Sequence, residues 1–219
     1  MAKKKLRQQA IDLRKKGFSY SQIKDQMGTS KSTLNYWLRD MPLSEEKIRE
    51  LRGNSAVRIE RYRNTMKKKR ELRFANSYDS VAKDIGSMSP REIFLAGIFL
   101  YWAEGTKGRN GVVEMTNTNP YMLRFFMVWL GAEGVEVSKI KIHLHLYTDM
   151  DIDVHMKFWS KTLSIPLAQF HKPYIKVTNE KAITYKNGFG HGTCSVIICD
   201  SVLSRRILMG IQYLQETTS

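Results

Sequence analysis

Apolar residues first recur at helical spacing near the amino end. Leu6, Ala10 and Leu13 mark a helix over residues 4–16, which Gly17 ends. Ser21 is the candidate N-cap of a short second helix carrying Ile23 and Met27. A Gly28-Thr29-Ser30 turn leads to a third helix over residues 31–39, with Leu34, Trp37 and Leu38 inward. Pro42 disfavours helix at Met41, and Ser44 caps a new helix with Glu45 and Glu46 in its first turn. From there to about residue 75 the chain has helical propensity but few apolar side chains. Residues 76–90, with Gly86, Ser87, Ser89 and Pro90, read as a boundary loop that could hold one helical turn at 81–85.

From Phe94 to Ala103 every residue is apolar, and the run ends on Glu104-Gly105. A carboxylate on the last turn of a buried helix is costly unless it faces a metal, a cation or water. Helical spacing groups Ala96, Gly97, Leu100, Ala103 and Glu104 on one face, where small side chains would admit a second helix. Gly105 would release the backbone from the helix. The plainer alternative is a core helix whose Glu104 only caps or pairs.

Strand and helix patterns then alternate. Residues 112–117 read as a strand, and Asn119 caps a helix with Pro120 at its first position and Leu123, Phe126 and Leu130 inward. After a loop at 131–138, residues 139–147 alternate strictly. Ile140, Ile142, Leu144 and Leu146 fall on one side; Lys139, Lys141, His143, His145 and Tyr147 fall on the other. Residues 172–178 repeat the arrangement, with Lys172, Tyr174, Lys176 and Thr178 on one side. An amphipathic helix over residues 152–163 separates them; a last strand at 193–199 and a closing helix at 202–214 follow. The expected fold is α+β, with helices on one face of an antiparallel sheet. Its other face would be basic and rich in hydrogen-bonding groups, as a nucleic-acid groove requires or as an ordinary solvated sheet face often is.

Charge sharpens this picture. The net charge is +15, but residues 1–76 hold 21 Lys/Arg against 8 Asp/Glu while residues 77–219 hold 15 against 13. A positive field confined to one third of the chain fits a module that docks on polyanions. The 219 residues allow one or two domains, and the longest apolar run is too short to span a bilayer. Met1 and the lysines after it lead into no apolar core, so no secretory leader is expected. Cys194 and Cys199 lie on opposite faces of their strand and cannot pair locally, which fits a reducing cytoplasm.

Residues 20–38, with a glycine at the turn, resemble the resolvase- and transposase-type helix-turn-helix. Lys24 stands where that family usually has a small residue. The resemblance implies that the third helix enters the major groove of double-stranded DNA and presents Lys31, Ser32, Thr33, Asn35, Tyr36 and Arg39. A small helical protein-interaction module is the alternative. The basic stretch after it could lie along phosphates or simply be a solvated linker.

Leu95-Ala96-Gly97, the run 99–105 and residues 112–120 resemble the LAGLIDADG homing endonucleases and their non-cleaving relatives. The motif is degenerate: two extra residues separate Gly97 from Glu104, and bulky Phe99 and Trp102 replace small or polar residues. Three regions follow: a helix-turn-helix domain (1–42), a basic helical linker (43–90) and a LAGLIDADG-like α+β domain (91–219). The resemblance implies a homodimer that pairs two Glu104 carboxylates around Mg²⁺ for phosphodiester hydrolysis, with the sheet reading DNA. Lys139, Lys141, His143, His145, Lys172, Tyr174 and Lys176 are the DNA-facing candidates on that sheet. A non-cleaving transcription regulator and an RNA-binding factor are the other function classes. His143 and His145 with Asp149, Asp151, Asp153 and His155 match no common zinc spacing.

Overall fold

The computed structural model describes residues 2–51, 54–177 and 190–217; Met1 and Thr178 lie outside them. The chain separates into two compact units, Met1–Gly86 and Ser87–Ser219.

In the first unit, α1 (Ala2–Lys15), α2 (Tyr20–Met27) and α3 (Lys31–Leu38) close around Ala10, Tyr20, Ile23, Leu34 and Leu38. Ser19, not Ser21, caps α2: its hydroxyl accepts from the Gln22 backbone while the Gln22 side chain accepts from the Ser19 backbone. This reciprocal pair satisfies two orphan N–H groups at once. Gly28 ends α2 in the left-handed region at φ 67°, a conformation that costs glycine nothing. Lys24 is exposed, so its size does not disturb the packing.

α4 (Glu45–Arg49), capped by Ser44, leads to α5 (Asn54–Ile85), a 32-residue helix that runs through residues 76–85 of the expected loop and leaves only residues 86–89 as the break before the next helix. Its first half is held to the three helices by polar side chains. The buried Arg14 guanidinium donates to Glu60 Oε2 at 2.8 Å and to the carbonyls of Met41 and Phe18. Arg63 donates to the other Glu60 oxygen and lies 3.8 Å over the Tyr20 ring. Asn64 donates to the Leu43 carbonyl, and Arg70 pairs with Asp40. With a donor on each Glu60 oxygen and two carbonyls on Arg14, a buried ion pair becomes tolerable and fixes one docking register.

In the second unit, α6 (Pro90–Glu104) starts at a Ser89/Glu92 capping box and is followed by β1 (Val112–Asn117). Next come α7 (Pro120–Ala132, capped by Asn119), β2 (Lys141–Tyr147), α8 (Ile152–Leu163), β3 (Tyr174–Lys176), β4 (Thr193–Cys199) and α9 (Ser201–Thr217). Among the described residues the strands form one four-stranded sheet in the order β1-β4-β2-β3. β1 and β2 run antiparallel to β4, but β3 runs parallel to β2, so the sheet is mixed rather than antiparallel as expected. The connection permits this: parallel neighbours need a crossover, and α8 supplies one. Lys139 sits in a short 3₁₀ turn before β2, and Lys172 precedes β3, so both fall outside the strands given to them.

The β2 alternation holds. Ile142, Leu144 and Leu146 are buried with Val113, Met115, Val196 and Ile198 against α6, α7 and α9, while alternate residues stay exposed or half-buried. Cys194 points inward and Cys199 outward. No helix among the described residues is long and apolar enough to cross a membrane.

Candidate nucleic-acid interface

On α3 the apolar spacing that buries Leu34 and Leu38 turns Lys31, Ser32, Asn35, Tyr36 and Arg39 to solvent as one stripe. Thr33 is half-buried. Ser30 caps the helix: its hydroxyl accepts from the Thr33 backbone and lies 2.9 Å from Thr33 Oγ1 and 3.0 Å from Ser32 Oγ. Those two hydroxyls therefore help build the N-terminus of α3, where the helix dipole and free N–H groups favour an anion. Arg39 lies 5.9 Å from the Tyr36 ring centroid and 3.5 Å from Asp40. Asn35 and Arg39 also line a groove of about 960 Å³ whose other wall is α5, with Tyr62, Lys67, Arg70 and Phe74. α5 was expected as a connector. It joins the groove because Glu60 and Arg63 dock it on the three helices, a long-range contact with no local sequence signature.

In the second unit the open face of the sheet carries most of the polar candidates. Strand register aligns Thr116, Ser195 and His143 in one row, then Thr193, His145 and Tyr174 in the next, and Tyr147 beside Lys176. Thr116 and Ser195 hydroxyls are 2.6 Å apart. Lys141 borders the first row next to Ile197, which faces Glu114, and Arg109 pairs with that carboxylate at 2.9 Å. His143 stands 5.0 Å from the His145 ring and 6.5 Å from His171. Burial, then the neighbouring His145 and His171, holds its pKa below the usual imidazole value, with Glu114 opposing. His171 joins the face through its backbone N–H to the Ile142 carbonyl, a bridge with no sequence signature. β3 is exposed on both sides, Ile175 included, because it is the sheet edge.

Glu104 closes α6 and is exposed; the Asn117 amide donates to its Oε2 at 3.3 Å. Three neighbours fix this corner. Gly105 is extended (φ −77°, ψ 152°) rather than left-handed, and bridges to Met115 of β1. A glycine is needed there because the Tyr101 ring occupies the space a Cβ would take. The buried Tyr101 hydroxyl donates to the Thr106 carbonyl at 2.6 Å and accepts from the Glu114 backbone. Lys107 caps the helix end by donating to the carbonyls of Trp102 and Gly105.

Gly97 does not share the open face of α6. It is buried under α7, where a side chain would strike the Trp129 ring. Ala96, Phe99, Leu100 and Ala103 form the face that stays exposed or half-buried, and it ends on Glu104.

Mg²⁺ is held by few protein oxygens, with water and phosphate completing its shell. One chain offers a single carboxylate at this corner, and among the described residues no group of three or more His, Cys, Asp or Glu could hold a metal ion. The Asp151 side chain caps α8 instead. Comparison with protein-family models, curated proteins and solved structures finds no match for this chain.

Proposed function

We propose that this chain is a sequence-specific double-stranded-DNA-binding protein acting as a homodimeric, Mg²⁺-dependent endonuclease of the LAGLIDADG type. The observation that carries the DNA reading is the exposed α3 stripe, in which Asn35 and Arg39 can make bidentate contacts with base edges. In a unit with 22 Lys/Arg against 10 Asp/Glu, the surrounding field favours a polyanion. This three-helix unit would then serve as a helix-turn-helix. The nuclease reading rests on Glu104, an exposed carboxylate at the foot of an uncovered apolar helix face. Two copies meeting along that face would bring two Glu104 side chains together. These would hold the cation, which lowers the cost of charge on the scissile phosphate. His143, His145, Tyr174 and Lys176 would face the duplex.

A non-cleaving regulator on the same scaffold is the second reading. It draws on Phe99 and Trp102, stacked at 6.1 Å, because Phe99 is half-exposed on the helix face that would have to pack. Incubation with supercoiled plasmid and Mg²⁺ separates the two. The endonuclease cuts or nicks, Glu104→Gln binds without cutting, and Arg39→Ala loses about 1–3 kcal/mol of site discrimination. Binding without cleavage in every variant leaves the regulator; failure to bind duplex at all ends the DNA reading.

A further inference from the structure

Helix α5 changes character half-way along. Residues 58–73 carry eight Lys/Arg against two Asp/Glu, whereas residues 74–89 carry one against two. The first half is docked by Glu60, Arg63 and Asn64; from residue 71 onward every side chain to the helix end is exposed. That exposed half still holds Phe74, Tyr78, Val81 and Ile85, at 69%, 75%, 52% and 60% exposure. Their spacing of four, three and four residues is the seam of a helix packed alongside another helix. A short helical end with Asn76, Ser77, Asp79 and Ser80 has little propensity of its own, so its persistence calls for a packing partner.

We propose that this seam pairs, antiparallel, with the same seam of a second copy of the chain. The register is self-complementary. About a twofold axis between Asp79 and Ser80, Phe74 falls opposite the second copy's residue 85 and Tyr78 opposite its residue 81. Each aromatic ring thus meets a β-branched side chain. Ala75, Ser77 and Ala82 flank the seam and let the helices approach closely. Charge selects the direction. Antiparallel pairing sends the two basic halves to opposite ends, whereas parallel pairing would lay them side by side. The exposed apolar surface is on the order of 500 Å² per copy, near the lower limit for a specific interface. The dimer is therefore weak and concentration-dependent. It is separate from pairing along α6 and independent of the DNA reading.

Disulfide trapping in the full chain tests this, in a Cys199→Ser background where only buried Cys194 remains. Phe74→Cys and Ile85→Cys chains are oxidised alone and as a mixture. Like positions in an antiparallel pair stand about 16 Å apart, beyond disulfide reach, so the mixture should give roughly tenfold more linked dimer than either chain alone. Adding Tyr78→Lys to both chains should abolish the link while circular dichroism stays unchanged. Lys83→Cys, on the far side of the helix, should not link. Linked dimer in the separate samples would mean parallel pairing and overturn the proposal. So would an unlinked mixture, whether the Ile85→Cys thiol alkylates fast (an uncovered monomer) or slowly (a seam covered by its own chain).

Discussion

Helix α5 meets its neighbours through Glu60, Arg63, Asn64 and Arg70, whereas α6 meets its own through Gly97, Ile98 and Tyr101. Each docks a helix against a module, by opposite chemistry. The first unit has a small core of Ala10, Tyr20, Ile23, Leu34 and Leu38 and leans on a hydrogen-bonded cluster of charges around Glu60. The second buries Trp129, Trp159, Phe126 and a full row of strand aliphatics, and needs no buried ion pair among its described residues to hold together. A helix that keeps a dense positive field has few apolar positions to spare, so its docking contacts must be charged. A unit of nearly balanced charge can use area instead, which is non-directional and tolerant of small shifts.

The sharpest way to break this contrast is Glu60→Ala. It strands the Arg14 guanidinium in a dry site and should cost about 3–5 kcal/mol, detaching α5. Peptide-resolved hydrogen exchange should show faster exchange throughout α1, α3 and α5, with the second unit unchanged. A loss below about 1 kcal/mol, the worth of a surface pair, would mean that Arg14 is solvated after all.

Gly97→Ala is the matching test in the second unit. The added Cβ enters the space of the Trp129 ring, and overpacking of this kind costs about 1–3 kcal/mol. Thermal unfolding should register that cost in the second unit alone, and Trp129→Leu in the same chain should recover part of it. A neutral Gly97→Ala would show that α6 and α7 are not in close contact.

The smallest effect expected is a pH slope. His143 lies in the second unit, so the slope produced by its lowered pKa is expected there and not in the first unit. Burial and the adjacent imidazoles lower the His143 pKa in the fold, so the unfolded chain takes up the proton more readily. The stabilising contribution is thus complete above the ordinary imidazole pKa of about 6.5 and is lost as pH falls below it. Unfolding followed from pH 7.5 to 5.5 should show this slope in the second unit, with His143→Gln flattening it. An equal slope in the first unit would contradict the assignment.

Much of the second unit could be read from its sequence. Strict alternation in β2 named its buried residues, and Asn119-Pro120 marked the start of α7. Pairing direction could not be read, since α8 is compatible with either sense until β3 is placed. Near Glu104 the sequence marked the acid and the glycine but not their supports. Tyr101 and Lys107 act through a ring face and main-chain carbonyls, and Asn117 through an amide that reaches Glu104 from β1; such contacts leave no periodic trace.

Where charge and apolar surface must part is already written in the order of the residues. Period and punctuation set α1–α3, β2, α7 and α8, and the uneven lysines and arginines set the basic amino-terminal third. That α5 belongs to the first unit, that Gly97 faces Trp129 and that β3 runs parallel are settled by packing in three dimensions. Each of these depends on which side chains meet across many intervening residues. Local periodicity carries the preference of a residue for burial, but not the identity of the neighbour that provides it.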